Sequence, residues 1–153
     1  MSSAGTIDVW ETIAREAAAE SSLWRDALTP EERGGHEPVF SPLAEERFAL
    51  GLETIYEGYL VHYGLPRVFV TPDPDTALLL GDYLYAHGLV RVAATREVDA
   101  VAELAELISL CARLRAEGAA GDGDAWLHAA IALGTADDAL AARALAAHTT
   151  RTR

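Results

Sequence analysis

The chain has 153 residues, half of them apolar and 24% charged, which is the composition of one folded domain and excludes a disordered or fibrous chain. A net charge of −12 argues against binding nucleic acid or anionic lipid, since both need a basic surface. The single cysteine, Cys111, excludes an internal disulfide and falls in an apolar helical pattern, where a packed core thiol is expected.

No apolar run approaches the ~18 residues of a membrane span, and the opening MSSAGTIDVWE lacks a basic-then-apolar leader, so a cytoplasmic protein is expected. All twelve basic residues are arginine. Codon bias in an alanine-rich chain accounts for this, and the other reading is selection for the bidentate guanidinium.

In chain order, Asp8 with Glu11 predicts an N-cap for a first amphipathic helix bearing Val9, Trp10, Ile13, Ala14 and Ala17. Ser21 and Ser22 interrupt it, and Leu23, Trp24 and Leu28 suggest a short second turn. Thr29-Pro30-Glu31-Glu32 can start one turn before Gly34-Gly35 ends it, and residues 34–41 read as loop. Ser41-Pro42 is expected to open a long helix to Tyr63, with a buried stripe of Phe48, Leu52, Ile55, Tyr56, Tyr59 and Tyr63 and a stop at Gly64. Val68-Phe69-Val70 has no partner run and reads as a packed loop.

Asp73-Pro74 caps a helix to about Ala94 that is apolar nearly all round and is therefore expected at the centre of its bundle. Thr95 starts another helix to Glu117, stopped by Gly118. Gly121-Asp122-Gly123-Asp124 reads as a turn, too short for a calcium hand, before a short helix over 125–133. Thr135 with Asp138 imitates a capping box for a last helix to about Ala147. The expectation is an all-α bundle of five or six helices. It has one domain over 1–148: an N-terminal helix and loop (1–41), three core helices (42–117) and short C-terminal helices (118–148). A flexible tail over 149–153, carrying Arg151 and Arg153, follows.

Two segments then carry a resemblance: the corner Gly64-Leu65-Pro66, and Ala77-Leu78-Leu79-Leu80-Gly81-Asp82-Tyr83-Leu84 followed by Ala86. Together they resemble the polyprenyl synthetase (trans-isoprenyl diphosphate synthase) family, in which a Gly-x-Pro corner precedes a helix with a Gly-Asp pair. The resemblance implies that residues 42–117 correspond to the middle helices of the isoprenoid synthase fold. It places the family's first Asp-Asp-x-x-Asp motif near Glu53-Thr54-Ile55-Tyr56-Glu57, where only the outer acids remain, as glutamates. The expected arginine pair is His62-Tyr63, no room exists for the second aspartate-rich motif, and no lysine exists to contact diphosphate. Ionising an allylic diphosphate requires Mg²⁺ held by carboxylates, with cations on the leaving group. The resemblance therefore implies the small non-catalytic subunit of a heteromeric long-chain prenyl diphosphate synthase, pairing with a catalytic prenyltransferase subunit and shaping assembly or product length.

Glu53 and Glu57, four apart, share a helix face, so either they hold Mg²⁺ or diphosphate, or they line a solvated side. Asp82 lies among Leu78, Leu79, Tyr85 and Ala86. If buried, it must pair with a tyrosine, histidine or arginine of a neighbouring helix, or serve as an acid in a pocket. His62 and His87 read as core or boundary groups, and no spacing suggests zinc. Tyr56, Tyr59, Tyr63, Tyr83 and Tyr85 either pack the core or line a pocket or partner surface. Two alternatives stay open: a minimal Mg²⁺-dependent homodimeric enzyme acting on a prenyl diphosphate, and a helical module binding an apolar ligand or protein partner.

Overall fold

The computed structural model describes residues 8–30 and 36–152 of the chain. Among them are seven α-helices: α1 Val9–Glu20, α2 Ser22–Asp26, α3 Ala49–Tyr63, α4 Pro74–Ala93, α5 Val98–Ala116, α6 Asp122–Ala132 and α7 Asp138–Arg151. Two 3₁₀ turns precede α3, and the described residues contain no β-strand, only two isolated bridges. The bundle is all-α. No helix among the described residues is long and apolar enough to cross a membrane.

Local signals set most boundaries. The Asp8 carboxylate accepts the Glu11 N–H at 3.1 Å and starts α1, and the Ser21 hydroxyl accepts the Leu23 N–H to start α2. Asp73 accepts the Thr76 N–H at 2.7 Å, with Pro74 as the first helical residue of α4. Gly118, at φ +66, follows the C-cap of α5 in the left-handed conformation that glycine tolerates.

At residues 41–48 and at Thr135 the boundaries differ from expectation because of a tertiary contact. Residues 41–48 do not continue α3 but form the 3₁₀ turns Ser41–Leu43 and Glu46–Phe48, separated by extended Ala44 and Glu45. A bridge to residues 133–135 holds this break: Glu45 N–H donates to Leu133 O, and Thr135 N–H donates to Leu43 O. The same bridge removes Thr135 from capping α7, and Asp137 does so instead by accepting the Leu140 N–H. Thr95 closes α4 by donating to Val92 O, and α5 begins after Glu97.

The Gly121–Asp124 segment is not a free turn, since α6 begins at Asp122. The last helix also runs past Ala147 to Arg151, into the segment expected to be a flexible tail. Leu65 N–H donates to Arg151 O at 2.8 Å, and the Arg151 guanidinium donates to Leu65 O at 3.2 Å. The Thr29–Glu32 turn and the Gly34-Gly35 stop lie largely outside the described residues, as does Arg153.

The central helix is α3 and not α4. Every α3 residue from Gly51 to Val61 is buried, whereas α4 leaves Leu78, Leu79 and Val90 exposed. On one side α3 meets a cluster that includes Phe40, Leu43, Leu104, Cys111, Trp126 and Ala144. On the other it meets Trp10, Ile13, Trp24, Val68, Phe69, Leu80 and Leu84. Cys111 is buried, as its helical position predicts. Helices α3 and α4 run antiparallel at close range because glycine faces glycine at two levels, Gly58 opposite Gly81 and Gly51 opposite Gly88. A Cβ on Gly58 would lie 2.9 Å from Gly81 O, and one on Gly88 would lie 3.0 Å from Gly51 O. The Gly-Asp pair therefore has a packing reason: Gly81 lets two backbones touch.

Candidate functional site

The buried polar centre of the molecule joins Glu53 and Glu57 of α3 to Arg67, which lies just beyond the Gly64-Leu65-Pro66 corner. All three are at most 3% exposed. Arg67 Nη1 donates to Glu53 Oε1 at 2.7 Å, and Arg67 Nε donates to Glu57 Oε1 at 3.0 Å. Backbone donors take the remaining lone pairs. Val39 and Ser41 N–H groups reach Glu53 Oε2, while Arg67 and Val68 N–H groups reach Glu57 Oε2. The guanidinium is also covered, lying 4.3 Å over the Trp10 ring and 5.2 Å from that of Tyr56. Burial pulls its pKa down, but the Glu53 and Glu57 charges outweigh burial and hold it above the ordinary arginine value.

This arrangement corrects the expectation for Glu53 and Glu57. They share one side of α3 as their spacing requires, but that side is neither solvated nor open. Each of their four carboxyl oxygens already accepts a hydrogen bond, and Arg67 stands where a shared cation would stand. Magnesium demands near-octahedral oxygen ligands and retains several waters. The pair does not fit that ion. Among the described residues, no group of three or more His, Cys, Asp or Glu side chains could hold a metal. What the network does is mechanical: it ties the 38–41 segment and the corner loop to the middle of α3.

Asp82 is not a buried carboxylate. Its side chain is 65% exposed, with Oδ1 3.2 Å from Nε2 of His62 on α3. Gly81 faces α3, so the next residue, one step around the helix, faces outward. The apolar neighbours that suggested burial, Leu78 and Leu79, are themselves exposed. Asp82 is thus remote in environment from the Glu53–Glu57–Arg67 centre, and the three acids do not converge on one cavity. His87 sits at the α1 boundary, 3.0 Å from Glu16, which also accepts from Arg91.

The five tyrosines divide among three environments. Tyr56 and Tyr59 are fully buried and stacked on each other, with Trp126 edge-on to both. Tyr63 and Tyr85 are half-buried around His62, and Tyr63 also lies under Arg115. Tyr83 stacks on His87 and approaches Trp24 of α2.

A second polar cluster links α3, α5, α6 and α7. Tyr59 Oη donates to Asp122 Oδ2 at 2.5 Å, and Arg115 donates to both, through Nε to Asp122 and Nη2 to Tyr59. Beside it, His148 Nδ1 lies 2.7 Å from Tyr56 Oη. Burial, followed by the bond to Asp122, raises the Tyr59 pKa well above that of an ordinary phenol. Burial lowers that of His148, with Asp122 opposing and Arg115 adding to the fall. The cluster borders a shallow depression of about 420 Å³ that also includes Gly121, Asp124, Thr149 and Thr152. A broader groove of about 530 Å³ runs between α5 and α6 and is lined by Glu106, Leu110, Arg113 and His128 among others.

No protein-family model, curated protein or solved structure matches this chain. The site must therefore be read from its own residues, and three of those escaped sequence reasoning. Arg67 left one usable sign, since it sits between Pro66 and the apolar triplet Val68-Phe69-Val70, a loop that returns to the core. Asp122 and Arg115 left none, because each carries a charge at the edge of a helix, where solvent is the ordinary partner.

Proposed function

We propose that this protein is a non-catalytic helical subunit that acts by docking on a partner protein, of the kind its resemblance to the polyprenyl synthetase family implies. The partner on this reading is a prenyl diphosphate synthase, whose assembly or product length the subunit influences. One observation carries the reading. The two glutamates that the resemblance aligns with the family's first metal-binding motif are buried and bonded to Arg67 and to backbone N–H groups, so they have no free oxygen for Mg²⁺. The helices around them are retained as a scaffold, with glycine pairs at α3–α4 that hold the geometry. The minimal-enzyme reading lacks such support, because its two carboxylates are closed to substrate.

Co-expression with a prenyl diphosphate synthase from the same genome tests the proposal. Co-elution on size exclusion, together with a changed product chain length, is expected. Independent elution with an unaltered product overturns the synthase partnership. Mg²⁺-dependent turnover of a prenyl diphosphate by the isolated chain, abolished by Glu53→Gln with Glu57→Gln, overturns the non-catalytic reading itself.

A further inference from the structure

The outer face of α4 carries more exposed apolar surface than a helix in a finished bundle needs. Leu79, Ala86, Val90 and Ala93 recur at intervals of seven, four and three and therefore form one line along the helix. Leu78 and Leu79 are each 56% exposed and Val90 is 64% exposed. The inner face is fully occupied by α3 through Gly81, Leu84, Gly88 and Val92, so the outer line is not a half-formed core. Its charges are of one sign. Asp75 and Asp82 are exposed along it, Asp82 with one oxygen 3.2 Å from His62 and its side chain still 65% open to solvent, and the nearest arginine on the helix, Arg91, turns inward to Glu16.

We infer that this face of α4 docks a partner protein presenting an amphipathic helix whose apolar stripe is bordered by arginine or lysine. A second copy of the chain is disfavoured by charge. Two α4 helices packed antiparallel about Ala86, the middle of this line, would set the Asp82 carboxylate of each chain against the apolar Val90 of the other with no cation to meet it, between chains that each carry −12. A basic helix meets the same leucines and valine with its cations over Asp75 and Asp82, the common helix-on-apolar-face mode with a charged rim. The inference deepens the docking-subunit reading and rests on it for the existence of a partner, though not for that partner being a synthase.

The test uses the full chain and two fluorescent helical peptides with the same leucine stripe, one bordered by lysine and the other by glutamate, followed by anisotropy. The lysine peptide is expected to bind, and more weakly as salt rises. The glutamate peptide is expected not to bind. Leu79→Gln with Val90→Gln should weaken binding at least tenfold without loss of helicity, because both side chains already face solvent. Val98→Gln, at an exposed valine off this line, should leave binding unchanged, and Asp75→Asn with Asp82→Asn should flatten the salt dependence. Equal binding of the two peptides, or unchanged binding by the Leu79/Val90 variant, overturns the inference, as does a dimer by sedimentation that the same variant dissolves. A synthase that co-elutes equally with wild type and this variant also overturns the docking face, yet leaves the partnership standing. Peptide binding that behaves as expected while the synthase fails to co-elute has the opposite meaning.

Discussion

Replacing Arg67 with methionine removes the guanidinium from between Glu53 and Glu57 while keeping an unbranched apolar stem. The bonds lost are those of 2.7 Å to the Glu53 carboxylate and 3.0 Å to that of Glu57, together with a longer one of 3.4 Å to the Glu53 carbonyl. Hydrogen bonds to charged groups contribute about 1.5–3 kcal/mol each, and removing one partner of a buried ion pair costs about 3–5 kcal/mol. The backbone N–H groups of Val39, Ser41, residue 67 and Val68 remain and keep both carboxylates partly satisfied. That places the loss in the lower part of the range, about 3–4 kcal/mol. It is a large share of the ~5–15 kcal/mol that holds a domain folded, and at about 2–4 °C per kcal/mol it lowers Tm by roughly 6–16 °C. Urea unfolding followed by tryptophan fluorescence measures it, and Trp10, packed against the guanidinium, reports locally. Adding Glu57→Gln to Arg67→Met should restore part of the loss, because it removes an unpaired buried charge, with a coupling energy above about 1 kcal/mol. A loss below about 1 kcal/mol for Arg67→Met, or additivity within about 0.5 kcal/mol, would refute the buried-network reasoning.

Gly58→Ala should destabilise the fold by about 1–3 kcal/mol by forcing α3 from α4, although alanine favours helices by ~1 kcal/mol; a stabilised variant in the same urea assay contradicts the glycine-pair packing. The folded His148 pKa lies below its ordinary 6.5 because of burial, so between that folded value and 6.5 the unfolded chain binds more protons. Its contribution to stability is therefore complete above 6.5 and declines as pH falls through that window. His148→Gln should flatten the slope of stability against pH there, and an unchanged slope counts against it. Glu16 and Asp73, whose pKa values are lowered, lose their contributions only further into acid, below ordinary values of 4.5 and 3.8. Burial pushes the Cys111 thiol up to about 12, so a disulfide reagent at pH 8 should react with it only upon unfolding, at the rate of global opening; prompt reaction of the native protein would show an accessible thiol.

Helix content, the Asp8 and Asp73 caps, the Gly64 and Gly118 stops and the core position of Cys111 were legible because each depends on residues within a turn of one another. The 3₁₀ break at 41–48 was not, because a bridge to residues 133–135, some ninety positions away, creates it. Helices α3 and α4 exchanged roles for a related reason. A run of leucines marks apolar surface without saying whether a neighbour covers it, and α3 hides two glutamates that any hydropathy count scores as solvent-facing. Their partner arrives from beyond the corner, ten and fourteen residues on, so helical spacing alone could not show that the pair was neutralised. Asp82 failed in the opposite direction, since its apolar sequence neighbours face outward with it.

The sequence by itself determined an all-α chain, its principal caps and stops, and the closeness of Glu53 to Glu57 on one helix face, because these follow from period, capping chemistry and glycine. Only the tertiary structure decided which helix is central, that Arg67 closes over the two glutamates, and that Asp82 stands in solvent beside His62. Burial and ion pairing are properties of what surrounds a residue. Here those surroundings come from loops and helices distant in the chain.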